Sequence, residues 1–288
     1  MNRSLVVGLV AHVDSGKTTL AEGILYTCGK RRVLGRVDHK DSLLDDFAIE
    51  RERGITVFSK QAQVTFKEVD ITILDTPGHV DFSAEMERTL QVIDVAVLLV
   101  GANDKVQGHT LTLWRLLNSY NIPVIIFVNK TDMPGTDKSA ITESLKRELS
   151  DNIVDFSFIK EGFSDIDDET LDALSMCDEA LMEEYLDKSN IALESVKDAF
   201  SRRKVYPMLF GSALYLDGVE SLLEALTSLS ADKTYKDSFG ARVYKITRDD
   251  DGQRLTHMKI TGGKLAVKDK IGEEKVNQIR IYNGSGSE

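Results

Sequence analysis

The chain has 288 residues, of which 42% are hydrophobic and 29% are charged, so disordered and collagen-like chains are excluded. No apolar run reaches the roughly 18 residues of a membrane span. The start of the chain shows no secretory-signal pattern, so we expect a cytoplasmic protein without membrane contact. Two cysteines, Cys28 and Cys177, are too few for a disulfide scaffold or a four-cysteine zinc site.

The net charge of −11 is concentrated in one segment. Residues 161–199 contain 13 acidic and two basic side chains, whereas the rest of the chain carries 34 of each sign. This distribution argues against a protein that coats nucleic acid through a general basic surface. Leu171, Leu174, Leu181 and Tyr185 recur at helical spacing, which predicts helices in this segment. Its acidic face is either simply solvated or a docking surface for a basic partner.

Apolar runs and amphipathic stretches alternate through the first 230 residues. Strands are predicted at 5–10, 71–74, 95–100, 124–128 and 207–210, and helices at 17–28, 81–91, 109–120, 138–150 and 216–229. Nearly uninterrupted apolar strands are typical of parallel sheets that are covered on both faces. The sequence therefore predicts a doubly wound α/β domain with a mostly parallel sheet. In such domains ligands bind at the carboxyl ends of the strands.

The pattern changes near residue 236. Short segments at 241–246, 257–261, 265–267 and 276–282 are separated by Asp-Asp-Gly and Gly-Gly turns, which predicts antiparallel strands. We expect residues 1–235 to form the first domain, with an insertion at about 136–204. Residues 236–288 then form the start of an antiparallel β-barrel domain that ends in a linker-like tail. We also expect the chain to be a monomeric fragment of a longer protein.

A phosphate-binding loop is predicted directly after the first strand. The run Ala-His-Val-Asp-Ser-Gly-Lys-Thr at 11–18 lies between a strand and a helix, where backbone N–H groups can surround a β-phosphate. Lys17 would reach the β- and γ-phosphates, and the Thr18 hydroxyl would bind Mg²⁺. The predicted nucleotide-binding residues of this loop are His12, Val13, Asp14, Ser15, Gly16, Lys17, Thr18 and Thr19.

A second motif, Asp75-Thr76-Pro77-Gly78, follows the predicted strand at 71–74. Asp75 would hold Mg²⁺ through a water molecule, and the Gly78 N–H would meet the γ-phosphate. Because the first strand and this strand end at the same edge of the sheet, the two motifs are expected to form one site.

The third motif, Asn129-Lys130-Thr131-Asp132, predicts the base. Asp132 can accept two hydrogen bonds from the N1–H and amine of guanine, which adenine does not offer. Lys130 would lie along the base, and Asn129 would tie this loop to the phosphate loop. Backbone N–H groups of Ser212, Ala213 and Leu214 would meet guanine O6. The ligands predicted are GTP and GDP. An ATP-using P-loop enzyme is the alternative that comparable ADP and GDP affinities would favour.

Taken together, the sequence resembles the translational GTPases related to elongation factor G, and among them the tetracycline-resistance ribosomal protection proteins. The residues that carry the resemblance are 11–19, 34–38, 44–56, 75–82, 129–132 and 211–213. The resemblance implies a P-loop GTPase fold with an inserted helical subdomain. It also implies that the protein hydrolyses GTP when it is bound to the ribosome.

The resemblance also implies roles for individual residues. Thr56 would bind Mg²⁺ and the γ-phosphate in the GTP state only, and His79 would be the catalytic residue, which positions the attacking water or shares its charge in the transition state. Val13 and Ile55 would form a hydrophobic gate in front of His79. Large-subunit RNA and stalk proteins of the ribosome would be the partners of the full-length protein, which would release tetracycline. An elongation-factor-like translocase and a binding module without hydrolysis are the alternatives.

Overall fold

The computed structural model describes residues 3–30, 60–76, 83–104, 106–161, 163, 166–249 and 251–281. Seven strands form one sheet in the order β2-β3-β1-β4-β5-β7-β6. The strands are β1 (Arg3–Ala11), β2 (Lys60–Phe66), β3 (Val69–Asp75), β4 (Val95–Gly101), β5 (Val124–Asn129), β6 (Ile153–Asp155) and β7 (Tyr206–Phe210). β2 pairs antiparallel with β3, and the other neighbouring strands of the sheet run parallel.

Helices cover both faces of this sheet. They are α1 (Lys17–Thr27), α2 (Ser83–Leu90), α3 (Gly108–Ser119), α4 (Lys138–Glu148), α5 (Asp168–Ser175), α6 (Glu179–Lys188), α7 (Leu193–Ser201) and α8 (Val219–Leu229), with a 3-10 helix at Ser157–Glu161. Leu20 of α1 and Leu222 of α8 belong to one buried cluster, and Leu113 of α3 and Leu145 of α4 belong to the other. The doubly wound fold that the sequence predicts is confirmed.

The apolar residues explain which strands occupy the centre. Every residue of β4 and β5 is buried, because both strands carry apolar side chains toward both helical layers. Two strands were missed by the sequence analysis. β2 alternates buried Ala62 and Val64 with polar side chains and lies at the edge of the sheet, and β6 has only three residues.

Helices α5 to α7 lie between β6 and β7, in the acidic segment. Asp167 accepts a hydrogen bond from the Thr170 N–H at 2.7 Å, and Asp178 accepts one from the Ala180 N–H at 3.1 Å, so each carboxylate caps a helix. The pKa of Asp167 is lowered, chiefly by this bond from Thr170. Leu171, Leu174 and Leu181 are buried against the core, and most of the acidic side chains of these helices are exposed to solvent. The predicted helices are confirmed, and the extent of the insertion stays a prediction.

The C-terminal region forms a long hairpin and a very short one. β8 (Gly240–Arg248) pairs antiparallel with β9 (Arg254–Gly262), and β10 (Lys270–Ile271) pairs with β11 (Glu274–Lys275). The strands predicted at 265–267 and 276–282 are wrong over the described residues. The Ala266 N–H donates to Asp269 Oδ2 at 2.6 Å in a tight turn. The Lys268 N–H donates to the Val276 carbonyl and the Val276 N–H to the Asp269 carbonyl, both at 2.8 Å, next to the β10–β11 pair, and residues 276–281 form no strand.

Polar side chains of the β8–β9 hairpin reach the sheet domain. The contacts are Arg242 Nη1 to the Gln91 carbonyl at 2.8 Å, Tyr244 OH to Gln61 Oε1 at 2.8 Å, Lys245 Nζ to Glu85 Oε1 at 3.3 Å and Lys259 Nζ to Asp94 Oδ1 at 2.6 Å. The hairpin is therefore fixed to β2, to α2 and to the turn before β4.

Both cysteines are free thiols, Cys28 half-buried and Cys177 buried. Burial raises the pKa of each thiol to about 11, which keeps both protonated and unreactive at neutral pH. Within the described ranges, no helix combines the length and apolar character needed to cross a bilayer.

Candidate GTP-binding site

The phosphate loop joins β1 to α1 at the carboxyl edge of the sheet. Its backbone is left-handed at Asp14, with φ 64°, and at Gly16, with φ 89°. A Cβ atom added to Gly16 would lie 2.3 Å from Asn129 Nδ2. Glycine is therefore required here for its backbone conformation and for the close approach of Asn129.

Asn129, at the end of β5, connects three loops. Its Nδ2 donates to the Ser15 carbonyl at 2.8 Å, and its Oδ1 accepts from the Ala213 N–H at 2.9 Å. Asn129 is only 3% exposed, so both hydrogen bonds are shielded from water. The predicted contact between Asn129 and the phosphate loop is present, and its role in nucleotide binding stays a prediction.

Lys130 supports the same loop one residue further on. Its Nζ donates to the Asp14 carbonyl at 2.6 Å, and its own backbone is left-handed with φ 67°. The Thr131 N–H donates to the Gly211 carbonyl at 3.2 Å, which links the loop after β5 to the loop after β7. The backbone of the phosphate loop and the predicted guanine-binding loops thus form one bonded unit.

A buried ion pair lies beneath the loop. Lys17 Nζ, at the start of α1, pairs with Asp75 Oδ1, at the end of β3, and the two residues are 8% and 1% exposed. The register brings them together because β1 and β3 are parallel neighbours, with Leu9 opposite Asp75. Thr76 fixes the end of β3, since its Oγ1 donates to the Leu9 carbonyl at 2.6 Å. The sequence analysis did not predict this hydrogen bond, because the motif at residues 75–78 does not indicate that the Leu9 carbonyl is the acceptor.

The donor set here suits a hard cation. Thr18, which follows Lys17 in the sequence, has a hydroxyl oxygen and Asp75 has a carboxylate, the kinds of oxygen ligand that Mg²⁺ takes, and their assignment to the metal stays a prediction. Among the described residues, no group of three or more His, Cys, Asp or Glu side chains could hold a metal ion by itself.

The guanine side shows which N–H groups are available for a base. The Ser212 N–H donates to the Asp217 carbonyl at 3.0 Å, and the Ala213 N–H is taken by Asn129. The Leu214 N–H donates to no protein group in the described part of the chain. Asp132 is exposed at the same edge. Of the three predicted donors to O6, Leu214 is therefore the one whose N–H is not already bonded.

Several predicted site residues lie outside the described ranges: Ile55, Thr56, Gly78 and His79. The assignments of Thr56 to the metal, His79 to catalysis and Ile55 to the gate stay predictions. Of the gate pair, Val13 is described and is half-buried.

Comparisons with known proteins agree with this site. Residues 2–232 match the family model described as elongation factor Tu GTP binding domain. The tetracycline resistance protein TetP of Clostridium perfringens is 34% identical over 99% of this chain and 47% of its own length. TetS of Listeria monocytogenes is 32% identical over 98% and 46%, and TetO of Campylobacter jejuni is 34% identical over 96% and 45%.

Solved structures include a protein from Thermus thermophilus that is 25% identical to this chain, with a TM-score of 0.86. That match covers 100% of this chain and 50% of the other. The chain spans about half the length of the curated relatives that it matches. Because the family model covers most of its residues, the chain belongs to the family of the elongation factor Tu GTP binding domain and is a GTP-hydrolysing domain of the translation-factor type.

Proposed function

We propose that this chain is the nucleotide-dependent part of a longer ribosomal protection protein, which binds the ribosome and releases tetracycline in a GTP-dependent manner. The observation that carries the nucleotide half of the proposal is the Asn129 side chain, which bonds the phosphate loop and the loop after β7 at once. The drug-resistance half is supported by relatives that are named tetracycline resistance proteins.

Nucleotide binding follows from the charges and donors at the site. The loop that contains Gly16 presents backbone N–H groups at the start of α1, where an anion is favoured. Lys17 is the cation for the β- and γ-phosphates. Its ion pair with Asp75 holds the ammonium group in a buried position beneath the loop where phosphate would bind. Asp132 and the Leu214 N–H would read the guanine.

Mg²⁺ would be held by Thr18 and Thr56, with Asp75 acting through a water molecule. When bound, the ion would neutralise charge on the phosphates. His79 would position the attacking water. The hydrophobic gate of Val13 and Ile55 would hold the His79 side chain away from that water until the ribosome is bound. The slow intrinsic reaction expected of such a site explains why a partner is needed for turnover.

The remaining proposals concern the longer protein. Residues 1–235 would form the GTP-binding domain, with an insertion at 136–204, and residues 236–288 the beginning of a β-barrel domain. The acidic outer faces of α5 to α7 would dock on the ribosomal stalk, and other surfaces would meet large-subunit RNA. Such a protein would act in the cytoplasm, and the fragment would be monomeric.

The test uses the longer protein and ribosomes that carry labelled tetracycline. Release that requires GTP is the expected result, and His79→Ala should retain nucleotide binding while losing turnover. GTP hydrolysis stimulated by ribosomes without drug release would reject the resistance function and favour an elongation-factor-like translocase. Full activity of His79→Ala would favour a binding module for which hydrolysis is irrelevant.

A further inference from the structure

We infer that His109, in the first turn of α3, is a positioning residue for nucleotide binding, which acts by holding His12 and thereby the phosphate loop. The inference rests on the proposed binding of guanine nucleotides at this loop. It concerns an imidazole that no motif of the sequence singles out. The two rings are packed against each other, with centroids 5.6 Å apart and planes tilted by 59°.

His12 is part of the phosphate loop through its backbone. Its carbonyl accepts a hydrogen bond from the Ser15 N–H at 3.3 Å, which closes the turn that leads to Gly16. The turn contains left-handed residues at Asp14 and Gly16, a conformation that is uncommon for a residue other than glycine, although aspartate adopts it more readily than most. The position of His12 therefore bears on the direction of the N–H groups that follow it.

The loop is supported differently at its two ends. Lys130 Nζ and Asn129 Nδ2 hold the carbonyls of Asp14 and Ser15 from the side of β5. At the other end, Nδ1 of His12 is buried and has no hydrogen-bond partner in the described part of the chain. Nδ1 therefore does not fix the ring of His12, and a ring that it packs against is that of His109.

The packing of α3 against the sheet fixes the position of His109. Thr110, Leu113, Trp114 and Leu117 of this helix are buried, and Trp114 meets Tyr206 of β7 edge-on with ring centroids 4.7 Å apart. The Leu111 N–H donates to the Gln107 carbonyl at 3.1 Å, so the first turn of the helix is closed around His109. A ring on this turn keeps a fixed position relative to the sheet, as a positioning residue must.

This arrangement predicts a selective effect on the phosphate half of the site. The guanine half contains the loops after β5 and β7. These loops are bonded to each other through Asn129 Oδ1 with the Ala213 N–H and through the Thr131 N–H with the Gly211 carbonyl, and neither bond involves the His12 ring. Loss of the His109 ring should therefore weaken binding of GDP, whose β-phosphate enters the loop, more than binding of GMP. The ratio of the two affinities reports the effect and is insensitive to a uniform loss of folded protein.

The experiment measures GDP and GMP affinities by calorimetry for the full chain and its variants. An aromatic contact of this type corresponds to a loss of about three- to tenfold in GDP affinity for His109→Ala, with GMP affinity nearly unchanged. His109→Phe keeps a ring on the same turn and should restore the ratio. Arg115→Ala, an exposed position on the same helix, is the matched control and should leave the ratio unchanged.

Two results would overturn the inference. A wild-type affinity ratio in His109→Ala would show that the ring does not position the loop. Failure of His109→Phe to restore the ratio would show that the imidazole acts by its nitrogen atoms instead. If His109→Ala unfolds at the assay temperature, His109→Leu gives the same comparison, since it retains bulk without a ring. Wild-type protein that prefers ADP to GDP would instead refute the proposed function.

Discussion

Asp94 joins the β8–β9 hairpin to the sheet, and Asp94→Asn should measurably destabilise the chain. Its Oδ2 accepts a hydrogen bond from the Val6 N–H of β1 at 2.8 Å. Its Oδ1 accepts from Lys259 of β9 at 2.6 Å and also from Lys233, in the segment between α8 and β8. The carboxylate side chain is 6% exposed, so one buried negative charge serves two ammonium groups.

The magnitude follows from what asparagine can replace. Its carbonyl oxygen can still accept from Val6, but the negative charge opposite Lys259 is lost. Removal of one partner from a buried ion pair costs roughly 3–5 kcal/mol. Lys259 is 15% exposed and also donates to the Val92 carbonyl at 3.0 Å, which lowers the cost, and the half-exposed Lys233 adds little. We expect a loss of about 2–3 kcal/mol in the free energy of unfolding.

The pH dependence gives a second, independent signature. Burial disfavours the charged form of Asp94, but Lys259 and Lys233 more than offset it, so the pKa of Asp94 falls below its ordinary value of 3.8. A lowered folded-state pKa means that the stabilisation is fully present above the unfolded value and is lost as pH falls through the folded one. The difference between the wild type and Asp94→Asn should therefore be constant near neutral pH and shrink below pH 3.8.

The assay is urea unfolding followed by circular dichroism at neutral and at acid pH. Asp151→Asn, an exposed carboxylate, is the control and should change stability by less than about 0.5 kcal/mol. An Asp94→Asn variant as stable as the wild type at pH 7 would refute the assigned ion pairs. A difference that persists undiminished in acid would show that the lost stability comes from packing and not from charge.

Three further substitutions test other parts of the fold and the site. Gly16→Ala should abolish most GDP affinity in calorimetry, because its Cβ would meet the Asn129 amide at 2.3 Å; wild-type affinity would refute this. Asn129→Ala leaves the buried Ala213 N–H without its acceptor and should cost about 1–3 kcal/mol in thermal unfolding, while Thr112→Ala stays neutral. Leu174→Ala should cost about 2–5 kcal/mol by the same measurement, and a near-neutral effect would exclude close packing of α5.

The central part of the fold could be predicted from local pattern alone. β4 and β5 are nearly uninterrupted apolar segments of seven and six residues. Apolar segments of this length are typical of strands in a parallel sheet that is covered by helices on both faces. β2 has no uninterrupted apolar segment, because its polar residues face away from the core. Its extended conformation is determined by antiparallel pairing with β3, which the local sequence does not show. The segments at 265–267 and 276–281 show the converse, because apolar residues do not form a strand without a partner.

The motif residues of the site were recognisable because each stands beside a strand end, and parallel strands bring those ends together. Contacts between distant side chains carry no such signal. His109 follows no motif, and Lys259 lies 165 residues from the carboxylate that it neutralises. Asp94 does leave one trace in the sequence, since it interrupts the apolar run from Val92 to Val100. An acid in a segment that must be buried requires a cation or several donors nearby, so a partner of opposite charge can be inferred there even though its identity cannot.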